Sequence, residues 1–357
     1  MQEGSNFGLS PEDDYPVLAP PDGQPGFGEN HAFWLFAEDG SVFINAHLNS
    51  IDSFWPLRRE AVSICLPDGR ALVEMNEGWG TTRDTIVAGG THARFLEPMQ
   101  RWHVGYKGTM RETTQDALAR GDLADGEGRR MLVDWDAEIT SDLPLQRQGR
   151  TEEDWESLRK STATGLIGGS RYEQLCRAQV RLRIHGDREY RFAATATRTH
   201  RAGVRKLSEW LRAEWQTALF PGGNGFYLQR YRRDDGGVEW EEASILKEGK
   251  LHRATIHADN WITRRAASGD KLLLRLQSDL GTAEIEGEVA SSIFRSARID
   301  PNDPVPRERG MLDRRFGFEA SPHRTIALQQ ACARYKWDGE TTYGVCERHN
   351  FVDQFIA

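Results

Sequence analysis

Two polar side chains follow a run of small residues on one predicted strand near the middle of the chain. In EYRFAATATRTHRAG, residues 189–203, strand alternation places Ala194, Ala196, Arg198 and His200 on one face. Small side chains leave space, so the pattern predicts an inward face with a ligand cavity and two oriented polar groups. His200 could donate or relay a proton there, and Arg198 could bind an anionic or carbonyl group.

The preceding strand, residues 171–184, has the most regular alternation in the sequence. Tyr172 and Gln174 share a face with apolar residues, and we expect both to line the same pocket of a second barrel as His200. Glu173 falls on the opposite face, which is most simply a solvated strand surface. A β-bulge would be needed to turn it inward as a ligand contact.

Two glutamates are candidates for a stronger acid than a neutral imidazole. Glu29 opens the first apolar run and Glu347 lies in the last. If burial raises the pKa of either carboxyl, that group could protonate a substrate. Asn30 is a further candidate ligand contact, and Trp210 either covers a barrel mouth or packs in a core.

The elements that must position these residues are antiparallel strands. Short alternating runs are separated by Gly, Asp and Asn, with hairpin dipeptides such as Asp39-Gly40 and Asp68-Gly69 between them. A start that resembles a capping box, followed by WESLRK, predicts a short helix over residues 151–161. A weaker helical pattern covers residues 207–216.

Several stretches, in chain order, resemble a known family. They are residues 29–34, 95–102, 172–174, 194–203 and 344–347, which read ENHAFW, FLEPMQRW, YEQ, ATATRTHRAG and GVCE. The sequence resembles the bacterial lipocalin-like proteins grouped with hydroxyneurosporene synthase, the carotenoid 1,2-hydratase. It departs from them where Thr199 replaces the family's Asp beside the histidine.

The resemblance implies an all-β fold of two tandem lipocalin-like antiparallel β-barrels with a short connecting helix. A length of 357 residues also favours two domains. We expect an extended lead-in over residues 1–26, a first barrel over 27–150, a helical and Gly-rich connection over 151–170 and a second barrel over 171–357.

Three functions stay open at this point. The resemblance implies a cofactor-free hydratase or dehydratase, a lyase that acts by acid catalysis on a hydrophobic, isoprenoid-like or aromatic small molecule. A cyclase or isomerase could use the same protonated intermediate while excluding water. A non-catalytic binding or carrier protein of the lipocalin type is the third alternative.

Composition narrows the partners. The net charge is −8 and both signs are interspersed, so no basic face for nucleic acid is expected. There is no nucleotide-binding glycine motif, so we expect no cofactor. The N-terminal sequence lacks the features of a signal peptide, and no run approaches the roughly 20 apolar residues of a membrane span.

Cysteine and histidine spacing argue against a metal and for a cytoplasmic protein. Cys65, Cys176, Cys332 and Cys346 are scattered, as expected for reduced buried thiols. The pairs His252 with His257 and Glu347 with His349 have no known ligand spacing, so no metal is predicted. The sequence leaves a homodimer open.

Overall fold

The computed structural model describes most of the chain. The described residues are 9–23, 27–51, 55–122, 124, 128–149, 154, 156, 158, 160, 169–204, 212–258, 260–299, 315–318 and 324–355. Trp210 lies outside these ranges, so its predicted role at a barrel mouth stays a prediction.

Twenty β-strands make up nearly all of the regular structure in these ranges, which confirms the all-β prediction. In chain order they are β1 Phe27–Ala37, β2 Phe43–Ile51, β3 Arg58–Cys65, β4 Arg70–Gly78, β5 Thr85–Ala88, β6 Thr91–Glu97, β7 Arg101–Thr114, β8 Arg130–Thr140, β9 Gln146–Arg147, β10 Ser170–Ile184, β11 Arg188–Val204, β12 Arg212–Leu219, β13 Gly225–Arg232, β14 Val238–Lys247, β15 Lys250–Ile256, β16 Lys271–Ser278, β17 Gly281–Ile299, β18 Arg315–Phe316, β19 Arg324–Trp337 and β20 Glu340–Phe351.

The first sheet runs in the order β4-β3-β2-β1-β11-β10-β8-β7-β6-β5. Pairing of β4 with β7 closes its central strands into an antiparallel barrel. The barrel interior is filled by apolar side chains, among them Phe33, Leu35, Trp102 and Trp135, which are all buried. Burial of these side chains is the main favourable contribution to the stability of this barrel.

The change of barrel comes later in the chain than the sequence predicted. Strands β10 and β11, over residues 170–204, belong to the first barrel, because β11 pairs with β1 from Phe27 opposite Val204 to Ala37 opposite Ala194. The predicted second barrel therefore begins at Arg212 rather than at residue 171. The predicted helical and Gly-rich connection over 151–170 lies mostly outside the described residues. Strand pairing across the sheet, which local patterns do not reveal, decides the boundary.

The second sheet has the order β16-β15-β14-β13-β12-β20-β19-β17-β18, and pairing of β16 with β17 closes it. Its interior holds a separate apolar core that includes Phe226, Leu274, Ile285 and Tyr335.

Helices are short in the described part of the chain. The helix α1, Gln115–Arg120, begins after Thr114, whose hydroxyl accepts the Ala117 N–H, and ends at Gly121, where φ is 107°. Asp154, Glu156, Leu158 and Lys160 are also helical, in agreement with the predicted connecting helix. None of the described helices is long and apolar enough to cross a membrane.

The prediction of a weaker helix over residues 207–216 is wrong for residues 212–216, which the structure describes. Residues 212–216 belong to strand β12, which pairs with β13 on one side and β20 on the other. Pairing on both sides of this strand outweighs the local helical pattern.

The two barrels pack directly against each other. Every residue of β1 is buried, because one face points into the first barrel and the other contacts the second barrel. Trp34 of β1 meets Trp215 of β12 edge to face, with ring centroids 5.3 Å apart. Strands β1, β10 and β11 therefore present side chains both to the first interior and to the boundary between the barrels.

Candidate functional site

The structure divides the predicted site residues into two groups on opposite faces of β1, β10 and β11. Glu29, Tyr172, Gln174, Arg198 and His200 point into one end of the first barrel. Asn30, Glu173 and Glu347 lie instead at the boundary between the barrels. We expected Tyr172, Gln174, Arg198 and His200 to share a pocket of the second barrel; these four residues do lie together, but inside the first barrel, because β10 and β11 belong there.

One carboxylate joins two histidines within the first barrel. Oε1 of Glu29 lies 2.9 Å from Nε2 of His200 and 3.2 Å from Nε2 of His31. The two imidazole rings stack with centroids 3.9 Å apart. Burial, followed by the charge of His200, lowers the pKa of His31 to about 3, so this ring is neutral near pH 7.

A second carboxylate reaches this group from the lead-in. Oδ1 of Asp14 lies 2.5 Å from Nη2 of Arg198 and accepts a 2.6 Å hydrogen bond from the Tyr172 hydroxyl. The Tyr172 oxygen is also 3.3 Å from Nδ1 of His200, which links Asp14 to Glu29 through a phenol and an imidazole. We call Asp14, Glu29, His31, Arg58, Tyr172, Arg198 and His200 the first-barrel cluster.

Every charge in this cluster has a partner. Arg58 lies 2.6 Å from Oε2 of Glu29, and the N–H of Val17 donates to Oε1 of the same carboxylate. Burial opposes ionisation of Glu29 and Asp14, but the histidines and arginines around them outweigh it and lower both pKa values. The condition under which Glu29 could serve as an acid, a pKa raised by burial, is therefore not met, because the paired cations dominate.

Three side chains of the cluster could offer ligands to a metal. The nearest ligand atoms of Glu29, His31 and His200 all lie within 4.8 Å of one another. However, Arg58 already occupies the second oxygen of Glu29, and Nη2 of Arg198 is 3.4 Å from Nδ1 of His31. Two buried guanidinium groups beside the trio disfavour a further cation. The chemistry of Glu29, His31 and His200 therefore fits a hydrogen-bonded ionic cluster better than a metal centre.

A cavity of about 80 Å³ lies between the barrels. Its lining comes from the outward faces of β1, β2, β10 and β11 and from strands of the second barrel. The lining residues are Asn30, His47, Asn49, Arg171, Thr199, Arg201, Ala213, Trp215, Gln229, Tyr231, Arg295, Leu328, Gln330, Glu347 and His349. The aromatic rings and Leu328 form apolar wall beside a concentration of polar groups, the mixture typical of small-molecule sites.

An ionised carboxylate lies in this cavity. Oε1 of Glu347 is 3.0 Å from Nε2 of His349, and Oε2 accepts a 2.8 Å hydrogen bond from Gln330. Burial opposes ionisation, but His349, Gln330 and the more distant His47 outweigh it and lower the Glu347 pKa. The condition under which Glu347 could serve as an acid, a pKa raised by burial, is therefore not met either. At neutral pH this carboxylate is therefore ionised, which is the form that a base needs.

A second carboxyl adjoins the cavity and behaves in the opposite way. Glu173 is 3% exposed, and burial raises its pKa despite the opposing effects of Arg171 and Trp215. Its Oε2 accepts a 2.8 Å hydrogen bond from Nε1 of Trp215, and its Oε1 lies 2.7 Å from Arg171. Strand alternation correctly predicted that the Glu173 side chain points out of its barrel. The prediction that this face is exposed to solvent is wrong, because the second barrel covers it.

Asn30 lines the cavity as a ligand contact would, and Nδ2 of Asn30 donates a 2.7 Å hydrogen bond to Asn49. Thr199, which replaces the family's Asp, also faces this cavity rather than the first-barrel cluster.

Sequence reasoning missed Asp14 and Arg295. Asp14 lies in a Pro-rich lead-in without periodicity, and Arg295 lies in a strand whose outer face is buried only by the other barrel.

Comparison with solved structures supports the two-barrel fold. A protein described as AttH from Nitrosomonas europaea matches with a TM-score of 0.55 and 12% identity, covering 95% of this chain and 99% of the other. CghA matches with a TM-score of 0.51 and 10% identity, covering 96% of each chain. No protein-family model and no curated protein matches the sequence. At this level of identity the similarity shows the fold that the chain shares with these proteins.

Proposed function

We propose that the protein is a cofactor-independent hydro-lyase, a hydratase or dehydratase, that acts on a small molecule in the cavity between the barrels. The observation that carries the proposal is a pair of buried carboxyls at the boundary between the barrels, Glu173 held by Trp215 and Arg171 and Glu347 held by His349 and Gln330. Their different surroundings favour different protonation states, because burial raises the pKa of Glu173 whereas His349 and Gln330 lower the pKa of Glu347. Two carboxyls whose environments separate their pKa values are suited to the roles of acid and base.

Trp215 relates the two groups in space. It lies opposite Glu347 in the pairing of β12 with β20, and its indole N–H donates to Glu173. The charge of Glu347 in turn contributes to the raised pKa of Glu173. Glu347 lines the cavity, and Glu173 lines a smaller pocket beside it that shares Trp215 and Gln229 with the cavity wall, so the proposal requires a ligand that reaches both carboxyls.

The proposed dehydration balances without a cofactor. Glu347 removes a proton from carbon, and Glu173 gives its proton to the leaving hydroxyl. The C–H and C–O bonds break, a C=C bond forms, and water leaves. Hydration is the reverse, with ionised Glu173 removing a proton from the attacking water while protonated Glu347 gives its proton to carbon. After either direction, a proton exchanged with solvent returns the two carboxyls to their starting states.

The cavity size limits what is bound. A volume of about 80 Å³ is smaller than the roughly 300–1,000 Å³ of typical ligand pockets. It therefore fits a small molecule, or the reactive end of a longer isoprenoid-like or aromatic one.

The test is a screen of hydroxylated and unsaturated compounds with the purified protein in oxygen-18 water. Mass spectrometry would detect gain or loss of water, or isotope incorporation at the hydroxyl. Turnover that disappears in Glu173→Gln supports the proposal. Tight binding without any turnover would instead favour a carrier, and rearrangement without exchange of water would favour a cyclase or isomerase.

A further inference from the structure

A buried arginine in the cavity lacks a counter-ion. Arg295 of β17 is 3% exposed and lines the cavity between the barrels. Its one hydrogen bond to a described residue is long, 3.4 Å from Nη1 to Oε1 of Gln330, and its Nε has no partner there. The ring of Phe316 lies 5.4 Å from the guanidinium carbon. No carboxylate of the described residues forms an ion pair with it.

Such an arrangement is costly unless something else supplies the charge. A buried guanidinium is ordinarily paired, as Arg198 is with Asp14 in the first-barrel cluster. Burial lowers the pKa of Arg295 to about 10, which leaves the group charged at neutral pH, and the opposing attraction of Glu347 is not strong enough to cancel this shift. Arg295 thus has unused capacity to bind an anion.

The other arginines that line the cavity differ from Arg295 in their pairing. Among the described lining residues, Arg171, Arg201 and Arg295 are cationic and Glu347 is the anion. Arg171 pairs with Glu173, 2.7 Å away, and Arg201 also has a partner, so neither adds an uncompensated charge. Arg295 is the arginine of this lining for which the described residues supply no carboxylate partner.

We infer that Arg295 binds the carboxylate of an organic acid, so that the substrate of this site is a small acid or the acidic end of a larger molecule. That the bound acid is a substrate rests on the proposed function, but its binding to Arg295 does not require turnover. A planar guanidinium matches a carboxylate through two parallel hydrogen bonds. A carboxylate there would occupy the unpaired donors of Arg295 and leave the adjoining part of the ligand between Glu173 and Glu347.

The experiment compares two probes of similar shape and different charge, benzoate and benzamide, by isothermal titration calorimetry. The wild type should bind benzoate roughly ten- to a hundredfold more tightly, as expected for a charged hydrogen-bonded pair. Arg295→Met should remove this preference, and Arg295→Lys should keep part of it. Arg191→Met is the matched control, since Arg191 is an exposed arginine that pairs with Glu189.

Thermal unfolding of Arg295→Met separates binding from structure. Because the variant loses an uncompensated buried charge, its melting temperature should be equal to or higher than that of the wild type. The inference is overturned if the wild type binds benzoate no better than benzamide, or if Arg295→Met retains the preference. Failure of the proposed reaction would show itself separately, as absence of water exchange in a protein that still selects carboxylates.

Discussion

Nε1 of Trp215 donates a 2.8 Å hydrogen bond to Oε2 of Glu173, and this bond crosses from the second barrel to the first. Trp215 also stacks under the Arg171 guanidinium at 4.7 Å and meets Trp34 edge to face. The residue that orients the proposed acid thus belongs to the other barrel. The site exists only because the two barrels pack together.

Trp215→Phe should move the pH profile of turnover. The hydrogen bond from the indole lowers the Glu173 pKa against the effect of burial, so removing it should raise that pKa further. Activity that requires protonated Glu173 should then persist to higher pH, which a pH–rate profile measures. Trp34→Phe is the control, because the Trp34 N–H has no hydrogen-bond partner among the described residues. An unchanged alkaline limit in Trp215→Phe would contradict the positioning role.

Glu347→Gln should lose turnover by roughly 10²- to 10⁴-fold, the usual contribution of a general base. The amide has nearly the same shape but cannot accept a proton from substrate at neutral pH. Glu340→Gln, at the half-buried start of the same strand and outside the cavity lining, should stay close to wild type. Equal rates for both variants, measured by the water-exchange assay, would remove Glu347 from the mechanism.

Asp14→Asn should destabilise the fold by about 3–5 kcal/mol, because it leaves Arg198 buried without its charged partner. Glu12→Gln in the same turn is a matched control. Glu12 pairs with Arg83 at the surface, where solvent screens the two charges, so its loss should be much smaller. Chemical denaturation measures both values. Similar small losses for the two variants would show that the lead-in is not held by the buried pair.

His31 should make stability depend on pH in a definite direction. Its pKa is about 3 in the fold against 6.5 for the free side chain, so the unfolded chain binds an extra proton between these values. Stability should be complete above about pH 6.5 and fall as the pH drops toward 3, by up to about 1.4 kcal/mol per pH unit for one proton. His31→Gln should flatten that dependence. The exposed His185→Gln should not, and a curve unaffected by His31→Gln would contradict the assignment.

Local alternation predicted which face each side chain of β10 and β11 occupies. That is why Tyr172, Gln174, Arg198 and His200 were correctly expected to lie together. A period of two is a property of the strand alone, so it can be read without knowing the neighbouring strands.

The sequence could not reveal what covers each face. Residues 194–204 of β11 pair with β1, more than 150 positions earlier, and β10 pairs with β11 and β8, so both strands belong to the first barrel. Glu173 alternates like a surface residue, and only packing of the second barrel buries it and raises its pKa. Asp14 completes the first-barrel cluster from a segment without strand or helix periodicity, so no local pattern indicated it.

The most direct measurement compares turnover in Glu173→Gln and His200→Ala, because the two variants test the cavity and the first-barrel cluster against each other. The assay is water exchange on a substrate found by the screen, with rates normalised to folded protein. The account predicts that Glu173→Gln loses roughly 10²- to 10⁴-fold in rate, while His200→Ala loses stability but keeps its turnover within a few-fold. Loss of turnover in folded His200→Ala with activity retained in Glu173→Gln would contradict it and place the chemistry inside the first barrel.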